Sequence, residues 1–409
     1  MIGNALEWYD FAVYGYFAVP IGRHFFPHED PLAQLLAAFG VFALGYLVRP
    51  LGGVVVGHIG DRFGRRPALI FSVGAMAIPT FLIGILPGYA TLGVLAPILL
   101  TLLRVVQGIS VGGEYPCSMV FMVESAGEGR RGIIGAFAAM GAVIGILSGS
   151  AAGAALAAAM SPETLEAWGW RIPFLFGLVA GAAGLILRRH VLESEPVTST
   201  GRTPIVETLR DHGRVVARLV ALTTFTSVPF YILFIYIVSW LQVADGIPPA
   251  TALEINTINM ILLLPAMLLA GWASDRYGRR PILMASTVLG FVTALPLFWV
   301  MHHPSLALFG QFGLMLVVSP FIGAFPALLV ESAPPRVRCT GVGLGYNICL
   351  ALSGGTAPLV ATWLVERSGN ELSPAFVVMA AAAVSFAALL STEETYRRPL
   401  GGAVVAPAA

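Results

Sequence analysis

The sequence predicts an all-α, polytopic membrane protein with twelve transmembrane helices in two pseudo-symmetric six-helix bundles. The first observation is composition: 57% of the 409 residues are hydrophobic and only 11% are charged, whereas about 25% of a typical soluble domain is charged. The second is that apolar runs of about 20 residues, long enough to span a membrane, recur along the whole chain. The third is an internal repeat, described below. The twelve runs are centred near residues 12, 45, 77, 108, 146, 180, 229, 264, 291, 318, 353 and 383.

One long polar stretch interrupts the apolar pattern between the sixth and seventh runs. It reads RRHVLESEPVTSTGRTPIVETLRDHGR and covers residues 188–214. Because it leaves six spans on each side, we predict an N-terminal bundle over residues 1–190 and a cytoplasmic linker over 191–213. A C-terminal bundle then covers 214–395, and a short cytoplasmic tail covers 396–409.

The basic residues predict the orientation in the membrane. All 23 of them are arginine. With the N-terminus in the cytoplasm, the loops after the even-numbered spans and the tail hold 18, and the opposite face holds only Arg23, Arg171 and Arg367. Since cytoplasmic loops carry the excess of basic residues, we expect both termini in the cytoplasm and a multi-pass protein of the inner (plasma) membrane. No basic tract is dense enough to predict nucleic-acid binding.

Two motifs repeat in the same order in the two halves. GHIGDRFGRRP follows span 2 at residues 57–67, and GWASDRYGRRP follows span 8 at 271–281. FMVESAGEGRRG follows span 4 at 121–132, and LLVESAPPRVRCTG follows span 10 at 328–341. Two motifs at matching loops of each half indicate an internal duplication.

The first motif places an aspartate, Asp61 or Asp275, among the arginines of its loop. A carboxylate there can face the positive N-terminal end of a neighbouring helix or pair with an arginine, and spans 5 and 11 begin on this face just after Arg131 and Arg338. We therefore predict a cytoplasmic gate between the halves; the alternative is that the arginines only anchor the loops. The predicted gate residues are Asp61, Arg62, Arg65, Arg66, Glu124, Arg131, Asp275, Arg276, Arg279, Arg280, Glu331 and Arg338.

The first span carries two carboxylates in the stretch GNALEWYDFAVYGYF. At about 100° per residue, Glu7 and Asp10 lie 60° apart with Tyr14 between them, so both face the bundle interior. A buried carboxylate whose arginine partner comes and goes can take up and release a proton. Glu7, Asp10 and Glu114 of span 4 are the candidates for proton coupling.

Span 4 contains RVVQGISVGGEY, which puts Arg104 near the middle of the membrane. An ionisable residue at that depth predicts a functional site, and its guanidinium suits a substrate carboxylate. The alternative for Arg104 is a structural ion pair with a carboxylate of span 1, and for Arg49 it is extension towards the inner interface. Hydroxyl and amide groups of spans 7 and 11 either line the cavity or bond within the bundle. The substrate-binding candidates are Tyr14, Arg49, Arg104, Gln107, Tyr231, Tyr346 and Asn347.

The doubled loop motif resembles the signature of the major facilitator superfamily. Within that superfamily, several stretches resemble the metabolite:proton symporter family. They are GNALEWYDFAVYGYF, RPLGGVVVGHIGDRFGRRP, RVVQGISVGGEY, WGWRIPFLFG and GYNICLALSGGTAPLVATWLVE. The resemblance covers residues 3–366. It implies a fold of six plus six helices, alternating access and proton-driven uptake of a small polar metabolite. Substrates known in that family include citrate, 2-oxoglutarate, shikimate, proline and betaine.

The sequence thus predicts a proton-coupled symporter that imports an organic acid of the dicarboxylate or tricarboxylate kind. The alternative substrate is a zwitterionic osmolyte such as proline or betaine. The organic acid is favoured because the tail after span 12 lacks the heptads of an osmosensing coiled coil. A membrane-embedded enzyme is disfavoured because all seven histidines fall in loops or at span ends, and a sensor would call for an appended soluble domain. We expect no metal and no cofactor, and a monomer whose partners are its metabolite, protons and the lipid bilayer.

Overall fold

The chain folds into helices in a computed structural model. The structure describes residues 2–27, 29–52, 55–56, 59, 65–111, 114–188, 208 and 210–400. No strand occurs within these ranges. The predicted all-α class is therefore confirmed.

Within the described residues, ten α-helices precede the predicted linker. Local sequence sets several of their starts: Asp30 accepts a hydrogen bond from the Leu32 N–H at 2.9 Å ahead of Pro31, and Ser161 caps its helix in the same way ahead of Pro162, as N-cap residues do. The helices are α1 (Ile2–Tyr16), α2 (Ala18–Phe25), α3 (Pro31–Leu47), α4 (Arg65–Ile85), α5 (Tyr89–Leu92), α6 (Leu95–Ser110), α7 (Glu114–Glu124), α8 (Arg131–Ala159), α9 (Pro162–Ala167) and α10 (Ile172–Arg188).

Eight further α-helices follow the linker in the part of the chain that the structure describes. Two of them continue through single π-helical segments, Ile232–Tyr236 and Leu350–Gly354, a feature that is frequent at functional sites. The helices are α11 (Gly213–Tyr231), α12 (Ile237–Val243), α13 (Pro249–Tyr277), α14 (Arg279–Met301), α15 (Ala307–Glu331), α16 (Arg338–Cys349), α17 (Ala357–Ser368) and α18 (Ser373–Leu390).

Nine helices of the described chain are long and apolar enough to cross a membrane. They coincide with predicted spans 2, 4, 5 and 7 to 12. Predicted spans 1, 3 and 6 coincide with α1 together with α2, with α4 and with α10. The first of these is interrupted at Phe17, and the other two contain the shorter apolar segments Ile70–Ile85 and Gly169–Val179.

The two halves pack against each other chiefly where α8 runs along α13. Glycines permit this: a Cβ on Gly132 would lie 2.4 Å from the Gly271 carbonyl oxygen, and one on Gly271 would lie 2.7 Å from the Gly132 carbonyl oxygen. No side chain fits there without displacing backbone. Helix α8 also packs along α1, where a Cβ on Gly145 would lie 2.2 Å from the Ala5 carbonyl oxygen, so α8 is a central helix of the fold.

Candidate functional site

A small cavity of about 50 Å³ lies between the halves, near the middle of the helices. Its walls come from α1, α7 and α8 on one side and α11, α15 and α16 on the other. Six aromatic side chains dominate the lining, with mostly aliphatic residues between them. The six, here called the aromatic cage, are Trp8, Tyr115, Phe230, Tyr231, Phe325 and Tyr346.

Ring contacts connect the cage across the two halves. Trp8 and Tyr115 meet edge to face with centroids 5.9 Å apart, and Tyr115 meets Tyr346 of the second half at 5.1 Å. The ring faces carry the negative part of the aromatic quadrupole. A cavity with such walls attracts a cation without containing a formal negative charge.

Arg49 borders the cage. Its guanidinium carbon lies 5.2 Å from the Trp8 ring centroid and 4.9 Å from that of Tyr46, and its Nε donates a hydrogen bond to the Val111 carbonyl at 3.3 Å. The side chain is only 2% exposed. A buried guanidinium therefore packs against Trp8, one of the rings that line the cavity.

Arg104 lies in a second aromatic shell that does not line the cavity. Its guanidinium carbon stands 4.3 Å from the Tyr14 ring centroid and 4.6 Å from that of Phe11. Its Nη1 donates to Gln107 Oε1 at 2.9 Å, and Gln107 in turn donates to Thr80 Oγ1 at 2.7 Å. The Nε and Nη2 atoms of Arg104 are buried and have no hydrogen-bond partner within the described residues, which is costly for a charged group.

The structure separates the predicted substrate residues into two groups. Tyr231 and Tyr346 line the cavity, and the Tyr231 hydroxyl donates to the Tyr46 hydroxyl at 3.0 Å. The other group does not line the cavity. Tyr14, Gln107 and Arg104 belong to the second aromatic shell, and the Asn347 side chain donates a hydrogen bond to the Gly343 carbonyl within its own helix. The roles of all these residues stay predictions.

The structure describes the side chain of only one of the three proton-coupling candidates. Asp10 is buried, with 4% exposure, and it lies on α1 with Phe11 and Tyr14, whose rings contact Arg104. The side chains of Glu7 and Glu114 lie outside the described residues. Asp10 is therefore the candidate that the structure places beside the second aromatic shell.

Sequence reasoning missed four of the six cage residues. Trp8 and Tyr115 stand next to Glu7 and Glu114 in motifs already singled out for their charges. Phe230 and Phe325 lie in continuous apolar runs. Aromatic side chains next to intramembrane charges are the signal that could have identified the first two.

The repeated loops form a latch between the halves, at the end of the helices here called the latch face. Asp275 Oδ1 and Oδ2 accept hydrogen bonds from the Gly132 and Ile133 N–H groups at 2.7 and 2.9 Å, at the start of α8. Arg279 Nη1 donates to Asp275 Oδ1 at 2.7 Å. The carboxylate thus meets the positive end of a helix from the other half.

Further ion pairs surround this contact. Arg279 pairs with Glu331 at 3.2 Å, and Arg131 of the first half lies 3.7 Å from the same carboxylate. Arg338 pairs with Glu124 across the halves. Arg276 packs on Tyr277, and the Arg280 N–H donates to Glu394. Asp61 and Arg62 lie outside the described residues, as do the side chains of Arg65 and Arg66.

Two helical halves that enclose a central cavity, and that are fastened at one end by paired loops, define a membrane transporter. The family model for sugar (and other) transporters matches residues 1–196, and that for the major facilitator superfamily matches residues 220–403. The chain belongs to the major facilitator superfamily, as its sequence predicted, and it is a multi-pass membrane protein.

Curated relatives match nearly the whole chain. It is 34% identical to the proline/betaine transporter of Salmonella typhimurium, over 99% of this chain and 84% of that protein. It is also 34% identical to the glycine betaine/proline/ectoine/pipecolic acid transporter OusA of Dickeya dadantii, with the same coverage. A putative proline/betaine transporter of Staphylococcus aureus matches with 34% identity over 94% of this chain and 85% of that protein.

Solved structures show the same fold. The proton:xylose symporter XylE bound to 6-bromo-6-deoxy-D-glucose superposes with a TM-score of 0.74 at 18% identity, covering 98% of this chain and 95% of that chain. FucP in the outward conformation gives a TM-score of 0.59 at 15% identity, covering 96% and 98%. The twelve-helix, two-bundle fold is confirmed, and the predicted domain bounds stay predictions.

Proposed function

We propose that this protein is a proton-coupled symporter that imports a zwitterionic osmolyte, such as proline or betaine, by alternating access. The observation that carries the proposal is the aromatic cage with Arg49 beside it. The relatives are named as transporters of proline, betaine and similar zwitterions. They favour the alternative drawn from the sequence over the organic acid that the sequence analysis preferred.

The cage suits the cationic end of such a solute. A cation over an aromatic face gains about 0.5–1 kcal/mol at an exposed site and about 2 kcal/mol or more when desolvated. Quaternary ammonium groups are recognised by this arrangement because they cannot donate hydrogen bonds. Several rings around one small cavity therefore select a cation by shape and polarisation.

The anionic end needs a donor close to the rings. Arg49 is buried beside the Trp8 ring, with its guanidinium carbon 5.2 Å from the ring centroid, and a guanidinium binds a carboxylate through two parallel hydrogen bonds. A citrate-like substrate would bring two or three carboxylates against ring faces that repel them. The described lining of the cavity contains no charged side chain to offset that repulsion.

The latch supports the alternating-access part of the proposal. At the opposite end of the helices, here called the outer end, a cavity of about 420 Å³ has opened between the halves. Its lining includes Tyr16, Phe17 and Arg23 from the first half and Gln242 and Ile247 from the second. The arginine distribution predicts that the latch face is cytoplasmic. With that orientation, this conformation is closed on the cytoplasmic side.

Proton coupling belongs to the second aromatic shell in this proposal. Asp10 and Arg104 are both buried there, so a change in the protonation of Asp10 alters the net charge inside the first half. Glu7 and Glu114 remain further candidates from the sequence. Coupling follows if substrate binding and the protonated form favour the same conformation.

The test is uptake of radiolabelled betaine, proline and citrate into proteoliposomes, with and without an inward proton gradient. We expect gradient-driven accumulation of betaine or proline and none of citrate. Accumulation of citrate alone would restore the organic-acid interpretation, and accumulation that ignores the gradient would contradict symport. Trp8→Leu should lower zwitterion uptake, while Trp299→Leu, at an exposed position of α14, serves as the matched control.

A further inference from the structure

Three potential metal ligands meet at the outer end of the second half, away from the aromatic cage. Asp245 follows α12, His302 follows α14, and Glu371 lies between α17 and α18. His302 Nδ1 lies 2.6 Å from Asp245 Oδ1, and His302 Nε2 lies 3.2 Å from Glu371 Oε2. One ligand atom from each of the three residues fits within 4.8 Å of the others.

The cluster is buried on one side and open on the other. The Asp245 side chain is 2% exposed, whereas those of His302 and Glu371 are 34% and 40% exposed. Asp245 Oδ2 is buried and has no hydrogen-bond partner within the described residues. A desolvated carboxylate oxygen therefore faces a cluster that solvent ions can reach.

A buried tryptophan holds two of the three residues in place. Trp240 Nε1 donates a hydrogen bond to the Glu371 carbonyl oxygen at 3.0 Å, and its ring packs against the His302 ring with centroids 5.7 Å apart. Trp240 is itself 2% exposed and packs on Phe298. The three loops are thus fixed relative to one another, unlike side chains that meet by chance on a surface.

We propose that Asp245, His302 and Glu371 form a binding site for a divalent transition-metal ion of the Zn²⁺ type. Zn²⁺ takes histidine nitrogen and carboxylate oxygen ligands at about 2.0–2.2 Å, and two carboxylates balance its charge. One ligand atom from each residue lies within 4.8 Å of the others, so the three are close enough to share one ion. Ca²⁺ and Mg²⁺ prefer sites made of oxygen alone, so the imidazole sets the preference.

The position of the site gives it a consequence for the outer cavity. Asp245 lies between Val243 and Gly246, which both line that cavity. An ion bound at Asp245 ties this segment to the loops that carry His302 and Glu371. The site lies wholly within the second half, so its existence does not depend on which solute the protein transports.

The test is calorimetric titration of the purified full-length protein with ZnCl₂. Cys117 and Cys339 are exposed thiols, so the titration uses a Cys117→Ser/Cys339→Ser background. We expect one saturable site, and a loss of affinity of about tenfold or more in His302→Ala and in Glu371→Gln. His303→Ala is the matched control, since the neighbouring His303 packs on Trp299 outside the cluster, and it should bind Zn²⁺ as the parent does.

Two outcomes would overturn the site. One is the absence of saturable Zn²⁺ binding in the parent protein. The other is unchanged binding in both His302→Ala and Glu371→Gln. Thermal unfolding of each variant without metal shows whether it is folded, and testing two separate ligands keeps the result decisive if one variant is unstable.

Discussion

Asp275 of the second half accepts a hydrogen bond from the Gly132 N–H of the first half at 2.7 Å. This one contact joins the loop motif of one bundle to the first turn of a helix in the other. The carboxylate is satisfied by helix N–H groups on one side and by Arg279 on the other. The latch is therefore an electrostatic closure that can form only when the two halves meet at this face.

Replacing Asp275 by Asn should open the latch face. The variant loses hydrogen bonds to a charged acceptor, each worth about 1.5–3 kcal/mol, and leaves Arg279 with less compensation. Spin labels at the exposed positions Ser125 and Tyr277, in a background without Cys117 and Cys339, should report longer distances between the halves. Asp211→Asn, at an exposed position of the predicted linker, should leave the distances unchanged; equal distances in both variants would refute the latch.

Tyr346→Leu should weaken betaine binding more than it weakens proline binding. It removes one ring from the cage, and the loss of a desolvated cation–π contact of about 1–2 kcal/mol corresponds to roughly a 5- to 30-fold rise in KM. Tyr346→Phe keeps the ring and should stay near the parent value. The measurement is the KM for each solute in proteoliposomes, with Trp299→Leu at an exposed position of α14 as control; a similar KM for the Leu and Phe variants would argue against the cage.

Asp10→Asn should separate proton coupling from substrate exchange. An amide cannot carry the proton, so gradient-driven accumulation should be lost, whereas counterflow of labelled solute across the membrane should persist. Glu163→Gln, at an exposed position of the outer end, should keep both activities. Full accumulation by Asp10→Asn would transfer the role to Glu7 or Glu114.

Gly132→Ala should destabilise the protein, and Gly40→Ala should not. The new Cβ of the first variant would lie 2.4 Å from the Gly271 carbonyl oxygen, whereas the environment of Gly40 is open within 4 Å. Overpacking of this kind costs about 1–3 kcal/mol, while alanine at an open helical position gains up to about 1 kcal/mol. Thermal unfolding in one detergent checks the pair, and equal melting temperatures would contradict the close crossing of α8 and α13.

Much of the fold was predictable because its signals are local. The nine long apolar helices coincide with nine of the twelve predicted spans, since hydrophobic length alone determines which segments can cross a bilayer. The loop motif likewise predicted that an aspartate faces the start of span 5, and Asp275 does so. Predicted spans 1, 3 and 6 are less regular because α1 breaks at Phe17 and the apolar parts of α4 and of the helix after Gly169 are short.

The candidate site was less predictable, because its walls come from both halves. Trp8 and Tyr346 are far apart in the sequence, and no periodicity within α1 or α16 shows that both border one cavity with Tyr115 between them. The sequence also grouped Arg49 with Arg104 as substrate-binding candidates. In the structure the Trp8 ring packs against Arg49 and the Tyr14 ring against Arg104, whereas the Phe11 ring contacts both guanidinium groups, at 5.1 and 4.6 Å.

The amino-acid sequence by itself predicted the number and orientation of the spans, revealed the duplication and indicated the membership of a transporter superfamily. Hydrophobic length, arginine distribution and repeated motifs are properties of short segments. They can be recognised without knowing which other segments pack against them. Only the tertiary structure decided that six rings enclose a cavity beside Arg49 and that Asp275 reaches α8. Those relationships depend on how closely the halves approach, and that distance is set by packing between helices at glycines such as Gly132 and Gly271.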